Sequence, residues 1–248
     1  MKVTVIEYSD HLMAPLDFDM ACAVHAQMRR RGIELKLSTS VTGFETKGGS
    51  VVIHTASGEE MVADMVLLAV GVTPDTDLAK RAGLALGLRN SIVVNDRMET
   101  SVPDIYAVGD AVEVKHFVTG KKALIALAGP ANKQGRIAAD NICGGNSVFD
   151  GAQGSSVLKL FDMTVASTGI NEAQAKQAEI DYDRIVLSPA SHAGYYPGGK
   201  TMTMKVLYER NTLKLLGAQI IGQEGTDKRI DVIATAIRAG MQATELAE

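Results

Sequence analysis

The hydrophobic pattern of this chain starts without preamble. Val3, Thr4, Val5 and Ile6 form a β-rich run that ends on Glu7. A helical period follows from about Asp17 to Arg31, with Met20, Ala21, Val24 and Met28 on one face and Gly32 as its stop. "IELKL" then predicts the next strand, giving a β-α unit followed by a strand. Here the period changes. "VTGFET", "SVVIHT" and "MVADMVLLAVG" are short β-type runs separated by Gly-containing turns, a meander where a doubly wound fold would place a helix. Met65 to Val70, at the end of the third run, is apolar throughout and predicts a strand buried on both faces.

"TDLAKRAGL" predicts a short helix, and "NSIVVNDRMETSVPDIYAVGD" two strands around Pro103. A further helix runs from about Ala131 to Cys143 and is stopped by Gly144-Gly145. Past "GGNSVFDGAQGSS" the composition shifts, which places a domain boundary near residue 152. The remainder predicts strands at 156–161 and 163–169, then a helix whose Asn171 and Gln174 match a capping box. Strands at 183–188, 201–208 and 213–221 and a helix at 226–240 follow, with a hairpin turn in "YERNTLKL". The fold class is α/β in the first part and α+β with an antiparallel sheet in the second.

Composition narrows the function. At 248 residues and 46% hydrophobic content the chain is long enough for one large domain or two ordinary ones and too apolar for disorder. It has no Trp and 4% aromatic content, and its net charge is −4, which argues against nucleic acid as a partner. The basic runs Arg29-Arg30-Arg31 and Lys121-Lys122 are short and suit solvated faces. Cys22 and Cys143 form no C-x-x-C pair, which excludes a disulfide framework and suits a reducing compartment. The longest apolar runs fall far short of a membrane span, and the amino terminus lacks a signal-peptide core. The expected location is the cytoplasm.

Two carboxylates stand where chemistry could use them. Glu7 closes a strand of a βαβ-like unit, where an acid accepts hydrogen bonds from the adenosine ribose of a dinucleotide. An ordinary exposed acid at a strand end accounts for the same residue. Asp110 follows the apolar run "DIYAV" and Gly109. An ionised acid bonded to ligand hydroxyls gains roughly 1.5–3 kcal/mol, about what its desolvation costs when unpaired. Gly109 would let the backbone approach a flat ligand. An Asp that N-caps the next segment accounts for the same residue. The helix beginning in "ALIALAGPANKQG" offers free N–H groups to a negatively charged ligand, or is simply a helix that starts after Pro130. A dinucleotide fingerprint sets G-x-G-x-x-G about 20 residues before the acid, and only six residues precede Glu7. No G-x-G-x-x-G and no P-loop occurs elsewhere.

The segments "VTVIEYSDHLMAPLDFDMACAVHAQMRRRGIEL", "LLAVGVTPDTDLAKRAGL", "TSVPDIYAVGDAVEV" and "LAGPANKQGRIAADNI" occur in this order. Together they resemble the pyridine nucleotide–disulfide oxidoreductases, closest to the branch of coenzyme A-disulfide reductases and NADH oxidases. The resemblance runs through essentially the whole chain. It implies FAD and NAD(P)H as cofactors, with NADH favoured because Glu7 would repel a 2′-phosphate. It assigns Glu7 to the NAD adenosine ribose, Gly71 to the nicotinamide neighbourhood, and Asp110 with Gly109 to the flavin ribityl chain. Leu127 and Ala128 fall to the flavin pyrimidine edge. Residues 1–75 correspond to part of the NAD(P)-binding domain, 76–151 to part of the FAD-binding domain, and 152–248 to the dimerisation domain. In "HAGYYPGG", Tyr195 or Tyr196 matches a tyrosine that reaches the partner subunit's active site. The pair could equally pack at a dimer interface.

The family's redox cysteine and both glycine loops precede the matched region, and neither Cys22 nor Cys143 matches a catalytic position. The expectation is therefore a carboxy-terminal portion that binds FAD weakly or not at all and has no turnover alone. The parent reaction would pass a hydride from nicotinamide to FAD, then electrons to a disulfide, coenzyme A disulfide, polysulfide or dioxygen, in a homodimer. The alternative is an inactive dimerisation and scaffold module.

Overall fold

The computed structural model describes residues 1–248. β1 (Thr4–Ile6), α1 (Phe18–Arg30) and β2 (Glu34–Lys36) form a parallel β-α-β unit in which Thr4, Val5 and Ile6 face Glu34, Leu35 and Lys36. The α1 residues Met20, Ala21, Val24, His25 and Met28 recur at helical spacing and are buried. The helix ends where Gly32 takes φ +78°. β3 (Val41–Lys47), β4 (Ser50–Thr55) and β5 (Glu60–Ala63) make the expected antiparallel meander.

The strand expected at Met65 to Val70 does not form. The segment pairs with no other strand, and Leu67 is 81% and Val70 91% exposed. A strand buried on both faces needs neighbours on its two edges and layers over both sides, and nothing in this chain supplies them. The two strands expected around Pro103 also reduce to isolated bridges, Ile92 with Val112 and Glu99 with Tyr106. Met98 and Asp104 take left-handed φ values of 66° and 63°, and Pro103 has no N–H, so no ladder extends. α2 (Asp77–Arg81) is the expected short helix. A hairpin absent from the sequence reading, β6 (Val114–Lys115) with β7 (Lys122–Ala123), projects Phe117 and Val118 against the carboxy-terminal core. α3 (Ala128–Ile142) starts three residues before the expected Ala131, because Pro130 sits inside its first turn, where a missing N–H costs nothing.

The carboxy-terminal part is one antiparallel sheet in the order β10-β11-β12-β9-β8. Its strands are β8 (Ser156–Leu160), β9 (Met163–Gly169), β10 (Tyr182–Leu187), β11 (Thr203–Glu209) and β12 (Leu215–Gly222). α4 (Glu172–Gln177) opens on the expected capping box of Asn171 and Gln174. α5 (Thr226–Ala239) lays Ile230, Ile233, Ala236 and Ile237 on one face of the sheet, over Ala166, Val206, Ala218 and Ile220. On the opposite face Val165 and Ile221 pack with Leu12, Leu16 and the buried stripe of α1. The first β-α-β unit is thereby seated on the carboxy-terminal sheet. α6 (Ala243–Ala247), which the sequence reading did not foresee, closes the chain.

Candidate functional site

Asp110 lies in a single 3₁₀ turn, Gly109–Ala111, and not at the tip of a buried strand. Gly109 takes φ +83°, and a Cβ added there would meet nothing within 4 Å, so the conformation and not the space calls for glycine. The Gly109 N–H donates to Oε1 of Gln134 at 2.7 Å, and Gln134, in the second turn of α3, is 1% exposed. On the other side Ile92 donates to the Ala111 carbonyl (2.8 Å) and accepts from the Glu113 N–H (3.1 Å). The turn is thus clamped between α3 and the extended segment at Ile92. The Asp110 carboxylate itself is exposed and accepts no hydrogen bond from the chain. The capping alternative fails, because the Val112 and Glu113 N–H groups donate to Gly109 O and Ile92 O and none of the segment that follows bonds the Asp110 carboxylate.

The start of α3 supplies the complementary polarity. Leu127 is extended at the cap position and its N–H is committed to Ile125 O at 2.9 Å. Pro130 has no N–H, and Ala131 already donates to Leu127 O (3.2 Å). The N–H groups of Ala128 and Gly129 remain, at the positive end of a fifteen-residue helix. An unpartnered carboxylate on a turn bonded to α3, and free donors in the first turn of α3, suit a ligand with hydroxyls along one part and carbonyls on another. The residues present fit a flavin in this respect.

Glu7 is half-buried just beyond β1. Its backbone is fixed on both sides, donating to Lys36 O and accepting from the Thr39 N–H, each at 2.9 Å. Oε1 accepts the Ser9 N–H at 2.8 Å, and Oε2 has no partner in the chain. Gly71 lies in the unpaired segment with φ +91°, exposed, and no bond ties it to Glu7 or Asp110. Tyr195 and Tyr196 sit on the loop between β10 and β11. Tyr195 is 91% exposed, and Tyr196 meets His192 edge-on with ring centroids 5.2 Å apart. Arg229 holds the base of this loop by donating to Ser191 O at 2.9 Å. Cys22 and Cys143 are both exposed and unpaired.

The sequence reading missed the most heavily charged cluster. Lys205, in β11, has no exposed side-chain surface, and its Nζ lies 3.0 Å from Asp17, 2.9 Å from Asp19 and 2.5 Å from Glu172. Asp17 is bonded further: its N–H donates to Gln219 (2.7 Å), its Oδ2 accepts from the Gln219 amide (2.7 Å), and its Oδ1 accepts the Glu172 N–H (2.9 Å). Glu172 also accepts from Tyr182 at 2.5 Å and pairs with Arg184 at 3.3 Å. Burial works against the Lys205 ammonium, but its hydrogen bonds to Glu172, Asp19 and Asp17 outweigh this and hold its pKa above the usual lysine value. Burial likewise pushes the Glu172 carboxyl up, and the bonds from Lys205 and Tyr182 more than reverse it. The Tyr182 hydroxyl is pushed up to about 12 by burial and by its bond to Glu172. The signal in the sequence was a lone lysine in the apolar run "MTMKVL" and a lone glutamine in "LLGAQIIG".

Comparison with known proteins gives a consistent picture. A family model described as pyridine nucleotide-disulphide oxidoreductase matches residues 1–135, and one described as the dimerisation domain of that family matches residues 155–248. An NADH oxidase of Methanocaldococcus jannaschii is 36% identical over 251 residues, covering 100% of this chain and 55% of the relative. The chain thus spans about half the length of the curated relatives it matches. Among solved structures, reduced Bacillus anthracis CoADR-RHD superposes with a TM-score of 0.94 at 45% identity, covering 98% of this chain and 43% of that one. An NAD-dependent persulfide reductase from A. fulgidus superposes with a TM-score of 0.96 at 40% identity, covering 100% and 46%.

Proposed function

The chain belongs to the pyridine nucleotide-disulphide oxidoreductase family, and from that premise we propose that it forms the carboxy-terminal share of an FAD-dependent NAD(P)H oxidoreductase acting on sulfur or oxygen acceptors. Coenzyme A disulfide, another small disulfide, a polysulfide or dioxygen is the acceptor class. Relatives named as an NADH oxidase, a coenzyme A disulfide reductase and a persulfide reductase support that range. FAD, when bound, supplies the redox centre between nicotinamide and acceptor.

The residues of this chain bind and orient. Asp110 accepts hydrogen bonds from the ribityl hydroxyls, with Gly109 keeping the backbone close. Leu127 and Ala128 present the start of α3 to the flavin pyrimidine edge. Glu7 receives the adenosine ribose of NADH through Oε2, and its charge disfavours a 2′-phosphate. Gly71 leaves room near the nicotinamide. Tyr195, almost fully exposed, and Tyr196, held on one side by His192, reach toward the active site of a second copy in a cytoplasmic homodimer formed through residues 152–248. The observation that carries the reading is the unpartnered Asp110 carboxylate on a turn fixed by a buried glutamine.

Titration of the 248-residue chain with FAD, followed by flavin fluorescence, tests it. A weak saturable response that Asp110→Ala removes, with an unchanged far-ultraviolet dichroism spectrum, is expected. An Asp110→Ala variant with the native flavin response would refute the assignment.

A further inference from the structure

β1 and β2 pair in register as far as Ile6 with Lys36, and the Glu7 N–H then donates to Lys36 O at 2.9 Å. In a regular parallel ladder the next bond would run from the Ser38 N–H to Glu7 O. The chain departs from that pattern here. The Thr39 N–H takes Glu7 O at 2.9 Å, and the Ser38 N–H reaches further along, to Ser9 O at 2.8 Å. Ser38 is thus an extra residue on the β2 side, a bulge, and its φ of +51° lies in the left-handed region. Successive N–H groups of an extended strand point to opposite edges, so two neighbours serve the same bend only where the chain turns between them. The left-handed serine is that turn.

The bulge is braced from its own side. Thr39 Oγ1 donates to Leu37 O at 3.0 Å, spanning Ser38, and Ser40 O accepts the Ala56 N–H at 2.9 Å, which ties the segment to the turn between β4 and β5. Facing it is the bend Glu7-Tyr8-Ser9. Ser9, held by its carbonyl, presents its N–H to Oε1 of Glu7 at 2.8 Å. One oxygen of the carboxylate is thereby engaged and the other left for a ligand. Without the bond from Ser38, Ser9 belongs to an exposed loop and the Glu7 carboxylate is free to turn about its own torsions. Bulges beside sites commonly re-aim a side chain in this way.

We propose that Ser38 is a positioning residue: its left-handed bulge fixes Ser9, and through Ser9 the direction of the Glu7 carboxylate, and so sets the discrimination between a ribose 2′-hydroxyl and a 2′-phosphate. The discrimination rests on the reading of Glu7 given above; the bulge and its hold on Ser9 do not.

The test uses the full 248-residue chain with Ser38→Gly, Ser38→Val and Ser38→Pro. Ser38 is exposed, so none of the three opens a cavity in the core. Glycine keeps the N–H and takes positive φ freely, valine keeps the N–H but resists positive φ, and proline fixes φ at about −65° and has no N–H. Amide exchange followed residue by residue by nuclear magnetic resonance is expected to quicken about fivefold at Ser9 and Thr39 in Ser38→Val and further in Ser38→Pro. It stays native in Ser38→Gly, and α1 and β4 keep native exchange in all three. The preference for NADH over NADPH, taken as the ratio of dissociation constants from calorimetry, falls by a similar factor in the valine and proline variants and is kept by glycine. A merely structural role would weaken both cofactors alike and leave the ratio unchanged. Native exchange at Ser9 and Thr39 in Ser38→Pro would overturn the proposal. So would a native ratio in a variant whose Ser9 amide exchanges faster, a Ser38→Gly chain that behaves like Ser38→Val, or a rise that extends through α1 and β4. A native chain that does not favour NADH refutes the Glu7 reading, while the exchange at Ser9 still decides the bulge.

Discussion

Replacing Gln134 by leucine isolates what holds the Asp110 turn. The side chain is 1% exposed and its Oε1 accepts the Gly109 N–H at 2.7 Å. Leucine fills a similar volume and offers no acceptor. A backbone N–H left without a partner costs about 1–3 kcal/mol, and removing a buried carboxamide returns part of that, so a net loss of about 1–2 kcal/mol is expected. For a chain of this length that is a fall of roughly 2–8 °C in the unfolding midpoint. The same bond restrains Gly109 at φ +83°, so its loss also frees the direction of Asp110. Flavin affinity should fall about five- to thirtyfold, the factor that corresponds to the same energy. With no tryptophan in the chain, urea unfolding is best followed by far-ultraviolet dichroism, alongside flavin fluorescence titration. Lys133→Gln, at an exposed neighbouring position, serves as control and should stay within about 0.5 kcal/mol of the native chain. A Gln134→Leu variant with native stability and native flavin response would refute the reasoning.

Glu7→Gln should weaken NADH binding about tenfold and narrow the preference over NADPH, because an amide neither accepts as strongly nor repels a 2′-phosphate; calorimetry with both cofactors checks this. Burial lowers the pKa of His25, with Arg29 and His11 adding to the effect, and burial alone lowers that of His116. The unfolded chain therefore binds more protons than the folded one as pH falls past the ordinary histidine value of about 6.5. Stability should be complete above that pH and decline as pH falls through the lower folded values, so a urea midpoint that rises between pH 7.5 and 5.5 would contradict the assignment. Gly217→Ala places a Cβ 2.0 Å from the Ile170 carbonyl oxygen, a backbone atom that cannot turn aside. It should destabilise at or beyond the top of the ~1–3 kcal/mol range for overpacking, measured by the same urea unfolding, while Gly129→Ala, with open space around it, should not.

Local pattern carried most of the second half of the chain. The alternation of Thr203–Glu209, the capping box at Asn171 and the apolar stripe of Thr226–Ala239 are satisfied by residues a few positions apart, and each element formed within a residue or two of its expected bounds. The run Met65 to Val70 failed for the converse reason. Its composition states only that it prefers burial, and burial depends on strands and helices at other positions in the chain. The segment around Pro103 failed similarly, since left-handed residues at Met98 and Asp104 are not marked by glycine.

The sequence by itself determined the family, the β-α-β start at Glu7, the antiparallel sheet and the pairing of Gly109 with Asp110. These rest on short-range periodicity and on motifs whose residues lie side by side in the chain. Only the tertiary structure decided that Asp110 is exposed, unpartnered and clamped through Gln134, twenty-five residues away. It alone joined Lys205 to Asp17 and Asp19, more than 180 positions apart. A charge in an apolar strand can be noticed in a sequence, but its partner cannot, because Coulomb attraction and hydrogen bonding act through space and leave no trace in spacing along the chain.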